Sequence, residues 1–332
     1  MLTGRTRRFA ALALLLPVAA FVACGDDDDT GGGTGTAAEE SGSGGGSDLT
    51  FAVVTHGASG DAFWDVVKQG AEDAGDELGV TVDYQSDGDP EAQAQLIDAA
   101  VEQDVDGLVV SMANPDALED SIRAAIDADI PVITINSGSD RSAEFGALTH
   151  VGQEERIAGE GAGEQLAEAG VTNLICVVHE AGNVGVEDRC GGAEDTLGGQ
   201  VEPLQVDGND LAEAVATIRD RLESDPSIDG VLTLNPAVAI SARDAIAEAG
   251  SDATLATFDL NGDVVDAIEA GEIVFAIDQQ QYLQGYLPIS FLKLYSENLN
   301  VVGGGRPVLT GPGFVTADNA AEVADLADAG TR

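Results

Sequence analysis

Between Leu49 and Asn319 short apolar runs and patterns of helical period take turns along the chain, with little else between them. The first run covers 49–55. Further strand candidates are 81–84, 107–111, 131–135, 173–178, 201–206, 230–234, 254–258 and 273–277, and helical patterns fill the gaps, for instance at 92–101, 117–128, 159–169, 211–222 and 237–249. Unbroken apolar runs suit strands buried on both faces, and strands that alternate with helices pair in parallel through crossover helices. Nine or more strands would make one very wide sheet, and the rhythm breaks at 147–152, near the middle. The expected fold class is therefore α/β: two similar lobes, each a doubly wound parallel sheet.

The strand tips carry the functional signal. In the first half they read Thr55-His56-Gly57, Ser111-Met112-Ala113-Asn114 and Asn136-Ser137. In the second half they read His179 to Asn183, Asn235-Pro236, Asp259-Leu260-Asn261 and Asp278-Gln279. Nearly every tip offers an amide, hydroxyl, carboxylate or imidazole. Parallel sheets bind ligands at the carboxyl ends of their strands, so two lobes with facing tips would enclose a polar ligand.

Charge narrows the possible partners. With 60 acidic against 14 basic residues the formal charge is −46, and nothing would neutralise nucleic-acid phosphates or favour an anionic membrane surface. Such acidity would suit a saline habitat. The two lysines, Lys68 and Lys293, are not preceded by glycine, so there is no phosphate-binding P-loop. Gly182 and Gly185 lack the third glycine of a dinucleotide fingerprint. The histidines His56, His150 and His179 fit no metal-ligand spacing. Neither a metal nor a cofactor is implied.

The first residues read as an export signal, 1–23. Arg5, Arg7 and Arg8 precede an apolar run, 9–22, whose fourteen residues at about 1.5 Å each fall short of a hydrocarbon core of roughly 30 Å. Phe21-Val22-Ala23-Cys24 resembles the lipobox of bacterial lipoproteins, in which the cysteine is lipidated and becomes the first mature residue. From there to residue 47 the chain holds nothing to bury and reads as a disordered linker.

From residue 49 onward the chain resembles the periplasmic sugar-binding proteins of the ribose-binding type, the substrate-binding subunits of bacterial ABC importers. The resemblance rests on markers in a fixed order: Asp61-Ala62-Phe63-Trp64 with Gly70; the run 130–136 ending in Asn136; His150-Val151-Gly152-Gln153 with Gly159; Asp188-Arg189; the run 232–235 ending in Asn235; Thr257-Phe258-Asp259; and Ala276-Ile277-Asp278-Gln279 with Gly285. It implies the two-lobed class I fold with a three-strand hinge. The lobes would be 48–152 plus 280–308 and 153–279 plus 309–332, with crossings near 151–153, 278–281 and 307–313. It implies a ligand held by Asp61, Phe63, Trp64 and Asn136 on one side and Arg189, Asn235, Asp259 and Gln279 on the other. The tips and markers add His56, Ser111, Ser137 and Gln153. Asn136-Ser137 stands where the family usually has Asp-Arg, so the ligand need not be ribose.

The expected role is a monomeric, extracytoplasmic, lipid-anchored binding protein that is not an enzyme and passes a sugar or polyol to an ABC permease. Two other readings stay open: a ligand sensor feeding a membrane receptor, and a carbohydrate-active enzyme. Cys176 and Cys190 are candidates for a disulfide. One lies about two residues of roughly 3.3 Å below a strand tip, the other about five residues of 1.5 Å down the following helix. Their levels match, but the lateral distance between strand and helix is not fixed by spacing alone.

Overall fold

The computed structural model describes residues 48–332 apart from Ser59; the expected export signal, Cys24 and the linker lie outside the described residues. The chain begins β1 (Thr50–Thr55), α1 (Ala62–Leu78), β2 (Thr81–Ser86), α2 (Pro90–Glu102), β3 (Gly107–Ser111), α3 (Pro115–Asp127), β4 (Val132–Ile135), α4 (Ser139–Phe145) and β5 (Thr149–Gly152). It continues with α5 (Glu155–Glu168), β6 (Asn173–Val178), α6 (Val184–Leu197), β7 (Gln200–Gln205), α7 (Leu211–Ser224), β8 (Gly230–Thr233), α8 (Pro236–Ala249), β9 (Thr254–Phe258), α9 (Gly262–Glu269) and β10 (Phe275–Asp278). The last elements are α10 (Gln281–Asn298), β11 (Val308–Leu309), β12 (Gly313–Thr316) and α11 (Ala320–Asp328).

Two six-stranded sheets result, ordered β11-β5-β4-β3-β1-β2 and β12-β10-β9-β8-β6-β7. Every pairing is parallel except that of β10 with β12. Matched position by position, the two orders are one topology used twice, with β1 and β6, β3 and β8, and β4 and β9 in corresponding places. The chain passes between sheets three times: from β5 to α5, from β10 to α10, and from β11 to β12. This is the two-lobed, three-crossing class I architecture.

Side-chain alternation explains why the strands carry no polar face. In β1, Ala52 and Val54 pack with Ile97 and Leu118 from α2 and α3, whereas Phe51 and Val53 pack with Val67 of α1 and Leu292 of α10. In β6, Ile175 and Val177 face one apolar layer, and Leu174 and Cys176 the other. Each Val, Leu, Ile or Phe among them contributes about 1.5–3 kcal/mol by leaving water, so both sheets are held from two sides. Helix starts are fixed locally. Asp89, Asn114 and Asn235 accept from backbone N–H groups of the first turn, each followed by proline at the first helical position.

Glycines let two helix pairs approach behind the tips. A Cβ on Gly70 would strike the carbonyl of Tyr282, and one on Gly285 that of Val67, so α1 and α10 cross backbone to backbone. Gly159 and Gly192 do the same for α5 and α6, against the carbonyls of Arg189 and Arg156. Cys176 of β6 and Cys190 of α6 form a disulfide, with Cα atoms 5.8 Å apart.

Local detail differs at one strand and is filled in at two other places. The strand expected at 273–277 is β10, Phe275–Asp278. Ile273 is buried all the same, in the layer that holds Val264 and Ile268 of α9, which is why the apolar run starts before the strand. The region 307–313, expected as a crossing, also supplies β11 and leads into β12. His150 lies in β5, its Nδ1 3.0 Å from Thr134 Oγ1.

Candidate functional site

The carboxyl ends of both sheets meet at a cleft. Ten of the residues expected at a ligand site line it: His56, Asp61, Phe63, Trp64, Asn136, Ser137, Arg189, Asn235, Asp259 and Gln279. The other two stand behind the wall. Ser111 is fully buried, its Oγ accepting from the backbone N–H of His56 (2.9 Å) and lying 2.7 Å from His56 Nδ1. Gln153 is also fully buried and donates to Glu155 Oε2 (2.8 Å). Both therefore support residues that face the cleft or hold its charges.

Corresponding strands contribute corresponding tips. Asn136 follows β4 and Asp259 follows β9, and each adopts a left-handed backbone, with φ of 62° and 68°. Non-glycine residues there cost on the order of 1–3 kcal/mol and persist where surrounding structure holds them. Here each backbone N–H is still held by the neighbouring strand, Asn136 by the carbonyl of Val151 (3.2 Å) and Asp259 by that of Ile277 (2.8 Å). The bend turns both side chains off the strand line. Gln279, at the second crossing, joins them: its Nε2 donates to Asp259 Oδ1 (2.7 Å), and its Oε1 accepts from Asn136 Nδ2 (3.1 Å) and Gln284 Nε2 (2.8 Å).

Arg189 occupies the second-lobe wall and is only 4 % exposed. Its partner is Glu155 at the start of α5, through Nε to Oε2 (2.6 Å) and Nη2 to Oε1 (3.2 Å), not the adjacent Glu187 or Asp188. Nη1 donates to the carbonyl of Leu234 (3.3 Å) and lies 3.6 Å from Asp259 Oδ2, while the guanidinium carbon sits 4.7 Å from the ring centre of Phe258. Three of the five guanidinium donors are thereby bonded, which leaves two for another acceptor. Burial pushes the Asp259 carboxyl up to about 7, although Arg189 and the bond from Gln279 both favour its ionised form.

Helix caps do double service at the rim. Asp61 Oδ1 accepts from Phe63 N (3.0 Å), and Asn235 Oδ1 accepts from Ala237 N (2.9 Å), so each keeps one polar atom outside its helix. Burial raises the Asp61 carboxyl from its ordinary value. Trp64 packs edge-on against His56 (ring centres 4.6 Å) and Phe63 (5.0 Å), giving one apolar wall.

Three further polar residues line the cleft, His179, Glu180 and Asn183, from a tip read in the sequence but not counted among the expected ligand residues. All belong to the tip after β6, the counterpart of the His56 tip after β1. Burial lowers both imidazoles, His179 to about 4, so the two are neutral near pH 7. The wall thus combines three carboxylates, Asp61, Glu180 and Asp259, with a single guanidinium already paired to Glu155. A carboxylate- or phosphate-bearing ligand would meet repulsion there; neutral hydroxyls would find acceptors, donors and an apolar face.

Comparison with known proteins agrees with this geometry. The family described as "Periplasmic binding protein domain" matches residues 51–298. A carbohydrate transporter from Acidothermus cellulolyticus 11B, solved in complex with myo-inositol, is 43% identical and superimposes with a TM-score of 0.84, covering 86% of this chain and 100% of that one. The ribose import binding protein of Bacillus subtilis is 28% identical over 238 residues, 68% of this chain and 74% of that protein. The xylose/arabinose-binding protein of Sulfolobus acidocaldarius is 24% identical over 241 residues, 67% of this chain and 60% of that protein's length. With one topology repeated in two lobes, polar tips converging on the cleft between them, and a family match over most of the described chain, this protein belongs to the periplasmic binding protein family.

Proposed function

We propose that the cleft captures a neutral polyhydroxylated ligand, a sugar or a cyclic polyol, and that the protein delivers it to an ABC importer. The observation that carries this reading is the wall itself: strand tips offer Asn136, Gln279 and Asp259, and α6 offers Arg189, for hydroxyls, beside the apolar surface of Trp64 and Phe63. The myo-inositol complex of the Acidothermus relative and the ribose import role of the Bacillus relative support the same ligand chemistry. In this reading residues 48–152 with 280–308 move as one body, and 153–279 with 309–332 as the other. Ligand groups that reach both bodies favour the closed form by differential affinity. No ligand bond is broken, so binding saturates without turnover.

Replacing Asp259 by Ala removes a charged acceptor from buried hydroxyls. It should cost on the order of 1.5–3 kcal/mol, about tenfold to a hundredfold in affinity. A thermal-shift screen of sugars and polyols on the wild type, followed by titration of the best hit against Asp259→Ala and Trp64→Ala, checks this. If a ligand emerges and neither change weakens it threefold, the assignment of the site fails.

The reading includes an extracytoplasmic position, with lipid on Cys24 holding the acidic body near the membrane. Among the described residues no helix is long and apolar enough to cross a membrane. Cys24→Ser should move the protein into the soluble fraction. Continued sedimentation with membranes would contradict the anchor.

A further inference from the structure

Resting on the proposal that the lobes open and close around a ligand, we infer that the N-terminus of α6 is a latch that sets how long the ligand stays. Here the lobes touch each other directly. The backbone N–H of Val184, the first residue of α6, donates to the carbonyl of Ala113, just beyond β3 in the other lobe (3.0 Å). Ser137 Oγ, after β4, shares its one proton between Asn136 Oδ1 (2.9 Å) in its own lobe and Asn183 Oδ1 (3.1 Å), the same atom that caps α6 by accepting from Gly185 N (2.9 Å). Asn183 Nδ2 donates to Glu180 Oε2 (2.8 Å) and comes within 3.5 Å of His56 Nε2 across the cleft. Gly185 gives the seam its closeness: a Cβ there would lie 2.7 Å from Ser137 Oγ.

The helix that carries this seam also carries Arg189, one turn beyond Gly185 on the same face, and is tied to β6 by the Cys176–Cys190 disulfide. Pinning its first turn therefore fixes the second-lobe wall against the first. Bonds that exist only when the lobes meet lower the free energy of the closed form alone. They act on release far more than on capture.

Asn183→Ala would remove cap and latch together, so two other variants test the latch, neither of them at a residue lining the cleft. Val184→Pro deletes the cross-lobe donor and puts the ring Cδ where that N–H met the Ala113 carbonyl, so its effect falls on the state in which the lobes meet. Proline is tolerated at the first helical position, and Asn183, at φ −81° and ψ 110°, already has the extended backbone that a residue before proline needs. Gly185→Ala suits the helix better than glycine but puts a methyl into the seam. The probe is whichever of myo-inositol and D-ribose binds the wild type more tightly, followed by stopped-flow fluorescence of Trp64.

Val184→Pro should release the probe at least about three- to tenfold faster, the size expected for one hydrogen bond, since the ring adds to that loss in the closed form. Association should change less than about twofold, in line with interface changes that act mainly on release. Gly185→Ala should also release faster, and neither variant should melt below the wild type without ligand. Wild-type release rates in both folded variants would overturn the latch and leave the proposed function standing. So would an equal loss of melting temperature without ligand, which would mark a purely structural role. If the wild type binds neither probe nor any other sugar or polyol, the proposed function falls and the latch with it.

Discussion

Arg189→Met should lower folding stability by about 3–5 kcal/mol and remove measurable ligand binding. The guanidinium lies between two buried carboxylates, bonded to Glu155 and 3.6 Å from Asp259. Without it both are left in a site from which water is largely excluded, since Glu155 is 7 % and Asp259 4 % exposed. Breaking a buried pair by removing one partner is costly because the other charge remains, whereas removing both is often close to neutral. Arg189→Met with Glu155→Gln should therefore recover part of the stability but none of the binding. Urea unfolding of the wild type, single and double variants gives the comparison. A single variant as stable as the wild type would show that the charge network does not hold this wall.

Loss of the Cys176–Cys190 disulfide is expected to cost about 3 kcal/mol, the figure for closing a loop of about 15 residues, here with a separation of 14. The bond ties α6 to β6 within the apolar layer that also holds Leu174, Ala193 and Phe258. Cys176 is fully buried, so reductant should act mainly on the unfolded chain. Denaturant midpoints measured with and without reductant read the difference, which is also expected in the paired Cys176→Ala and Cys190→Ala variant. Coincident midpoints would contradict a stabilising role. Since α6 carries Arg189, the reduced protein should also bind its ligand more weakly than the oxidised form.

Much of the fold is written locally. Strands buried on both faces leave continuous apolar runs, and caps such as Asp89-Pro90 and Asn235-Pro236 mark helix starts within a few residues. What pairs only through tertiary structure left little trace. The two residues of β11 sit in a stretch rich in glycine and proline, and become a strand because β5 offers its edge. Site residues follow the same division. Asn136 and Asp259 stand out as polar residues ending apolar runs, but so does Ser111, and sequence does not tell which way a tip side chain turns. The left-handed bend at Asn136 and Asp259 decides it for those two. Glu155 reads as one more acid in a helix's first turn, and only the close crossing of α5 and α6 at Gly159 and Gly192 brings it to Arg189. The tip from His179 to Asn183 was visible, yet its weight comes from its correspondence with the His56 tip, which needs the strand order.

The central claim is that a ligand is caught between two lobes that close on it, and small-angle scattering recorded through a calorimetric titration tests it most directly. With the best sugar or polyol from the screen, heat should saturate at one ligand per chain while the radius of gyration falls in step, and Asp259→Ala should shift both curves together to higher concentration. Saturable binding with an unchanged radius of gyration, or no saturable binding of any sugar or polyol, would contradict the account.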